Sequence, residues 1–201
     1  MAYISAKTAG AQGAPLFVTF HGTGGDESQF HELASQLMPH AHVISPRGDV
    51  SENGMNRYFR RTGEGVYDMD DLAVRTEAMA GFLQGAKTET GADRVIGLGY
   101  SNGANILASV ALGFPEIVDD LVLMHPLIPW APTPQPGLKD RRVLITAGRR
   151  DPICPAADTD VLAQYLQRQG AHVQVEWHPG GHEIAQSELG AIQRFLAESP
   201  V

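Results

Sequence analysis

Runs of consecutive apolar residues alternate along the chain with stretches in which apolar positions recur every three or four residues. Residues 16–20, 43–44, 94–98, 121–124 and 143–146 belong to the first kind, which is how strands buried on both faces read. Between them, Phe30, Leu33, Ala34 and Leu37 fall at helical spacing after a polar start at Asp26. Leu72, Thr76, Met79 and Leu83 predict a second helix ending near Gly85, and Ala104, Ile106, Leu107, Val110 and Ala111 a third. Leu162, Tyr165 and Leu166 mark a fourth, closed by Gly170, and Ala185, Leu189, Ile192 and Leu196 a last one. Residues 173–177 alternate apolar and polar, like a half-exposed edge strand. Strand then helix, repeated to the end, predicts an α/β fold: a mostly parallel sheet covered by helices on both faces.

Two stretches depart from that rhythm. From 47 to 69 the chain is polar, glycine-bearing and aperiodic, a long loop of the kind that usually exists for function. From 126 to 136 five prolines surround Leu127, Ile128 and Trp130, so neither helix nor strand can persist and the apolar side chains must cover something. Neither stretch makes a seam, and residues 1–201 read as one domain.

Composition narrows the function classes. An apolar content of 43% with 19% charged residues belongs to a globular chain. A net charge of -8 argues against nucleic acid, whose binders need a positive surface. The local exception is Arg57-Tyr58-Phe59-Arg60-Arg61 with Arg47 upstream, either a salt-bridged loop or an arginine that orients a polar substrate. The lone Cys154 excludes an intrachain disulfide and a multi-cysteine metal site, leaving a buried packing residue or an incidental thiol. The first residues show no basic segment followed by an apolar run, and no stretch approaches the length of a membrane span, so a cytoplasmic protein is expected.

The sharpest chemical signal is Gly99-Tyr100-Ser101-Asn102-Gly103, set between the strand at 94–98 and the third helix. A G-x-S-x-G turn in that context exposes its serine on a strained bend, and the flanking glycines let helix and strand approach. Ser101 is therefore the candidate nucleophile; the alternative is a structural turn whose serine only caps the helix. A serine needs a base and a group to hold that base's tautomer. In the expected order of serine, acid, histidine, Asp151 lies just past a strand end, whereas Asp119 and Asp120 precede theirs. His182 sits in a glycine-bearing loop free to swing over the sheet edge. His178 is tied to a strand end, and His125 precedes the acid, so it reads as a structural or pocket histidine. For the oxyanion, the N–H of Asn102 would act with that of Thr23 in His21-Gly22-Thr23-Gly24-Gly25-Asp26. A glycine-rich turn can also cradle phosphate, but the phosphate-loop and dinucleotide fingerprints are absent around it.

In this order and spacing the four segments resemble the phospholipase/carboxylesterase family of α/β-hydrolases over nearly the whole chain. Ser45-Pro46-Arg47-Gly48, Glu52-Asn53-Gly54-Met55 and the arginine-rich segment make it similar, more narrowly, to small bacterial carboxylesterases related to the hydroquinone-inducible hydrolases. The resemblance implies an α/β-hydrolase fold of about seven strands without a separate cap domain. It implies a serine carboxylesterase with Ser101, Asp151 and His182 as triad, Thr23 and Asn102 amides as oxyanion hole, and short or aryl esters as substrates. Gly22 joins the substrate site; Leu127, Ile128 and Trp130 form an acyl-side wall or simply pack a loop; Tyr58 and Phe59 flank the leaving group while Arg47 or Arg60 fixes the loop. No cofactor and no metal are implied, and the partners are a small-molecule ester and, as an assembly, a homodimer. Acyl-protein thioesterase and lysophospholipase use the same triad, and a catalytically silent binding module keeps the same fold. A dienelactone-type hydrolase would be expected to carry cysteine in the elbow, where serine stands.

Overall fold

A computed structural model describes residues 3–198. In chain order its elements are β1 (Ser5–Thr8), β2 (Leu16–Phe20), α1 (His31–Leu37), β3 (His42–Pro46), β4 (Val50–Glu52), β5 (Met55–Arg57), β6 (Arg61–Gly63), β7 (Val66–Tyr67) and α2 (Met69–Thr90). There follow β8 (Val95–Tyr100), α3 (Asn102–Gly113), β9 (Asp120–Met124), β10 (Arg142–Gly148), α4 (Ala156–Arg168), β11 (His172–His178) and α5 (Gln186–Ala197). Seven strands make one sheet in the order β1-β3-β2-β8-β9-β10-β11, parallel throughout except for β1.

Period-two alternation divides the core between the two faces of that sheet. Leu16, Val18, Phe20, Leu121, Leu123, Val143 and Ile145 pack with Leu83 of α2, Leu107 of α3 and Leu166 of α4. Phe17, Ile96, Leu98, Val122, Met124 and Leu144 pack on the other face with Ala34 of α1 and Ile192 and Phe195 of α5. Burial on both sides is why these strands read as continuous apolar runs, and why edge strand β11 alternates instead.

Three sequence expectations change. Strand β1, Ser-Ala-Lys-Thr, has no apolar run and pairs antiparallel with β3 through its backbone, from Ser5 with Pro46 to Thr8 with Val43. Helix α2 runs past Gly85 to Gly91, whose φ of 66° supplies the left-handed cap; Gly85 lies in open space and Ala86 keeps the buried face going. The 47–69 loop is two short hairpins, β4–β5 and β6–β7. The first turns at Asn53-Gly54, both with positive φ, a tight-hairpin signature whose strands of three residues are too short to show a period. The proline-rich stretch has no regular element until a single 3-10 turn at Pro136–Leu138, as expected. Among the described residues, no helix is long and apolar enough to cross a membrane.

Packing of α3 against β2 leaves no room at one position. A methyl group added at Gly103 would stand 2.4 Å from the carbonyl oxygen of Phe20, a backbone atom that cannot rotate away. Gly103→Ala is expected to cost roughly 2–4 kcal/mol, read as a fall in Tm. Gly81→Ala, in α2 with nothing near its added carbon, is expected to raise stability by about 1 kcal/mol. Equal effects of the two substitutions would refute the close packing.

Candidate active site

Ser101 is the single residue between β8 and α3, with φ 52° and ψ -117°, a left-handed conformation that a side chain rarely adopts. Its N–H donates to the Met124 carbonyl at 2.9 Å, tying the bend to the neighbouring strand end. A Cβ on Gly99 would lie 2.5 Å from the Gly103 carbonyl oxygen, so the helix can start this close to the strand only because that residue is glycine.

His182 reaches the serine from the loop between β11 and α5. Its Nε2 lies 2.9 Å from Ser101 Oγ and its Nδ1 2.7 Å from Asp151 Oδ2. The Tyr100 hydroxyl donates to the His182 carbonyl at 2.7 Å, and the two rings lie 5.5 Å apart, so the loop is held from below. Asp151, just beyond β10, accepts the N–H groups of Ile153 and Cys154 on Oδ1 at 2.8 and 2.9 Å. Its Oδ2 accepts a second histidine, His125 Nδ1, at 2.8 Å. Burial by itself would raise the carboxyl pKa; these donors outweigh it and hold Asp151 below the usual carboxylate range. The rival residues lie elsewhere: Asp120 pairs with Arg94 at the opposite end of the sheet, and His178 is buried with its Nδ1 accepting the Gly180 N–H.

Thr23 and Asn102 border the same cleft as Ser101, a space of about 300 Å³. Among the described residues neither backbone N–H has an acceptor, while the next two amides of the first loop are taken: Gly24 donates to Asn56 O and Gly25 to Gly22 O. The loop is braced from two sides. His21, buried, accepts the Gly48 N–H on Nε2 and therefore donates from Nδ1 to the Gly22 carbonyl at 2.7 Å; burial lowers its pKa and keeps it neutral. From the other side Arg57 Nη1 donates to Thr23 Oγ1 at 2.7 Å, and Asn56 Nδ2 to the Gly25 carbonyl at 2.9 Å.

The lining of the cleft differs from the expected wall. Leu127 does line the cleft, its N–H donating to Asn105 Oδ1 at 2.7 Å and its carbonyl accepting the Tyr67 hydroxyl at 2.9 Å. Phe59 does not: it is fully buried, 4.8 Å from the Tyr67 ring and beneath the Arg57 guanidinium. Trp130 packs at a separate groove beside Phe114 and Pro132. Arg47 is held by Glu27 at 2.6 Å, and Arg60 by Asp71 at 3.1 Å. Gly22 faces the Tyr100 ring, where a Cβ would stand at 2.7 Å, and spends its N–H on Gln29. In place of these the cleft is bordered by Arg57, Arg61, Tyr67, Ile153 and Cys154. The arginine-rich segment was a visible signal, but only the hairpin geometry separates Arg57 and Arg61 from Arg47 and Arg60. Cys154 is buried, its thiol pushed well up by that burial and donating to the His125 carbonyl.

The chain is similar to proteins of known structure over nearly all of its length. A protein of unknown function from Agrobacterium tumefaciens is 55% identical, with a TM-score of 0.92 over 97% of this chain and 96% of that one. A Bacillus cereus carboxylesterase is 36% identical, with a TM-score of 0.92 over 96% and 93%. In sequence, the Bacillus subtilis protein MhqD, named as a hydrolase, is 38% identical over 188 residues, 92% of this chain and 94% of that protein. These likenesses support an ester hydrolase of α/β-hydrolase fold, and serine at the elbow does not set the chain apart from the group it had been contrasted with. The pattern of the dienelactone hydrolase family matches residues 55–189, and the chain belongs to that family.

Proposed function

We propose that the protein is a serine carboxylesterase acting through an acyl-enzyme. The observation that carries the reading is the unbroken line from Ser101 Oγ through His182 to Asp151, at 2.9 and 2.7 Å. In this reading Ser101 Oγ attacks the ester carbonyl and its proton passes to His182 Nε2. The carbonyl oxygen, now negative, accepts the free N–H groups of Thr23 and Asn102, the second of which also lies at the positive end of α3. His182 returns the proton to the departing alcohol, and water releases the acid by the same steps in reverse roles. Metal ions have no part in this scheme.

The small cleft beside Ser101, lined in part by Leu127 and Ile153, favours short or aryl acyl groups. Thioesters would pass through the same steps, since the triad acts on either carbonyl.

Ser101→Ala is expected to abolish labelling by a fluorophosphonate probe and to cut ester turnover by about 10⁴-fold or more, as loss of a triad nucleophile does elsewhere. Labelling of the variant at the wild-type level would refute the mechanism. Across p-nitrophenyl esters from acetate to palmitate, kcat/KM is expected to peak at the short chains. A peak at palmitate would instead point to a lipid or acylated-protein substrate.

A further inference from the structure

Asp151 has a second histidine on it, and the chemistry of the triad leaves that residue without a task. His125 follows β9 directly and is fully buried, with φ 50°, so two adjacent strand ends each carry a non-glycine residue in the left-handed region. Its backbone is held there by its N–H donating to the Thr146 carbonyl at 2.8 Å and by its own carbonyl accepting the Cys154 thiol at 3.2 Å. His125 Nδ1 lies 2.8 Å from Asp151 Oδ2, and Nε2 lies 3.1 Å from Glu188 Oε1. The second approach is too oblique for a well-aligned hydrogen bond and brings the ring beside Glu188 without one. Glu188, wholly buried at the start of α5, also accepts the Thr146 hydroxyl and the Ala185 N–H, both at 2.5 Å.

Resting on the serine-hydrolase reading, we propose that His125 and Glu188 extend the Ser101–His182–Asp151 line into a buried relay. In it His125 stands as an imidazolium between two carboxylates and holds Asp151 ionised and aimed at His182. His125 is a positioning residue, since it reaches the reacting atoms only through Asp151.

Proton accounting supports this arrangement. Both His125 nitrogens face carboxylate oxygens, so each has use for a hydrogen. His178, 3.5 Å from Glu188 Oε2, accepts the Gly180 N–H on Nδ1 and so carries its own hydrogen on Nε2, which is near Glu188 without a hydrogen bond to it. In that tautomer His178 turns a hydrogen and not a lone pair toward the space it shares with His125 and Glu188, three residues whose spacing would otherwise suit a cation. The groups facing His125 are Asp151, Glu188, His178, His182, the Tyr100 ring and Cys154, so the balance is two negative charges against its one positive charge. Two uncompensated carboxylates in so dry a site would drive one to take up a proton. With His125 charged, neither need do so, and the cluster becomes neutral when His182 receives the serine proton. Burial would by itself lower the His125 pKa, but Glu188 and Asp151 raise it above the ordinary histidine value. Glu188, which burial would raise, is held low by His125, Thr146 and Ala185.

The test joins imidazole ¹⁵N NMR to a pH profile. In the wild type, His125 is expected to be doubly protonated at pH 7.5, and in Glu188→Gln it is expected to be neutral there. His125→Asn keeps a donor near the Nδ1 position but removes the charge about 5 Å from the His182 ring. The acid limb of kcat/KM for p-nitrophenyl acetate is then expected to move to higher pH by roughly half a unit to one unit, because a positive neighbour that opposed protonation of the base is gone. A neutral His125 in the wild type overturns the proposal, as does a His125→Asn profile that only falls in height without moving. Should His125→Asn fail to fold, Glu188→Gln carries both measurements. Should the wild type hydrolyse no ester, the serine-hydrolase reading fails, and the NMR titration alone decides the charge of His125.

Discussion

The site depends on how close one helix can come to one strand. On the β8 face that meets α3, Val95 is followed at two-residue steps by Gly97 and Gly99. A Cβ on Gly97 would lie 2.6 Å from the Leu107 side chain, and one on Gly99 would strike the helix backbone. With those positions empty, α3 lies against the sheet and buries all its residues from Asn102 to Ala111. That burial holds the left-handed turn at Ser101, a conformation costing on the order of 1–3 kcal/mol, because no relaxed turn joins a strand and a helix at such a distance. The strain aims Oγ out of the sheet and leaves the Asn102 N–H at the head of the helix without an intrahelical partner. The proposed nucleophile and one proposed oxyanion donor thus share one cause.

The second constraint is electrostatic. Asp151, Glu188 and His125 have been taken almost wholly out of water, and isolated charges in such a place would neutralise themselves. They do not, because every carboxylate oxygen has a donor and the imidazole stands between the two acids. Interactions of this sort add little net stability. Their effect is to fix one proton arrangement, so that His182 presents Nδ1–H to Asp151 and a free Nε2 to Ser101, the tautomer a general base requires. The geometry of Ser101 and the tautomer of His182 are set by different forces acting on opposite sides of the same ring.

Much of this was legible along the chain, for identifiable reasons. Strands buried on both faces leave continuous apolar runs, so β2, β8, β9 and β10 could be placed, and with them the strand ends where Ser101 and Asp151 stand. Strand β1 could not, since its stability lies in backbone pairing that any side chain permits. Gly85 misled because an exposed glycine inside a helix looks like a stop, and only the buried Ala86 that follows shows it is not. His125 precedes the acid in sequence and so reads as structural; chain order says nothing about the second lone pair of a carboxylate. The wall of the cleft was the least legible part. Phe59 and Trp130 are aromatic residues in irregular stretches, and their bulk is what draws them into packing and away from the cleft.

The 47–69 segment shows what that irregular length supports. It was expected to touch the leaving group with aromatic side chains, yet its closest engagement with the chemistry runs through backbone and polar atoms. Asn56 takes the Gly24 N–H on its carbonyl and gives its side-chain amide to Gly25, while Arg57 grips the Thr23 hydroxyl. Tyr58 then donates its N–H to Asn102 Oδ1, and its hydroxyl joins the His21 N–H to the Pro46 carbonyl. Three consecutive residues therefore clamp both proposed oxyanion donors, Thr23 in the first loop and Asn102 at the head of the helix, which follow different strands. A glycine-rich loop has the freedom to turn an amide inward but no stiffness to keep it there. The hairpin supplies the stiffness, and the tight Asn53-Gly54 turn delivers β5 to the loop at the register this needs.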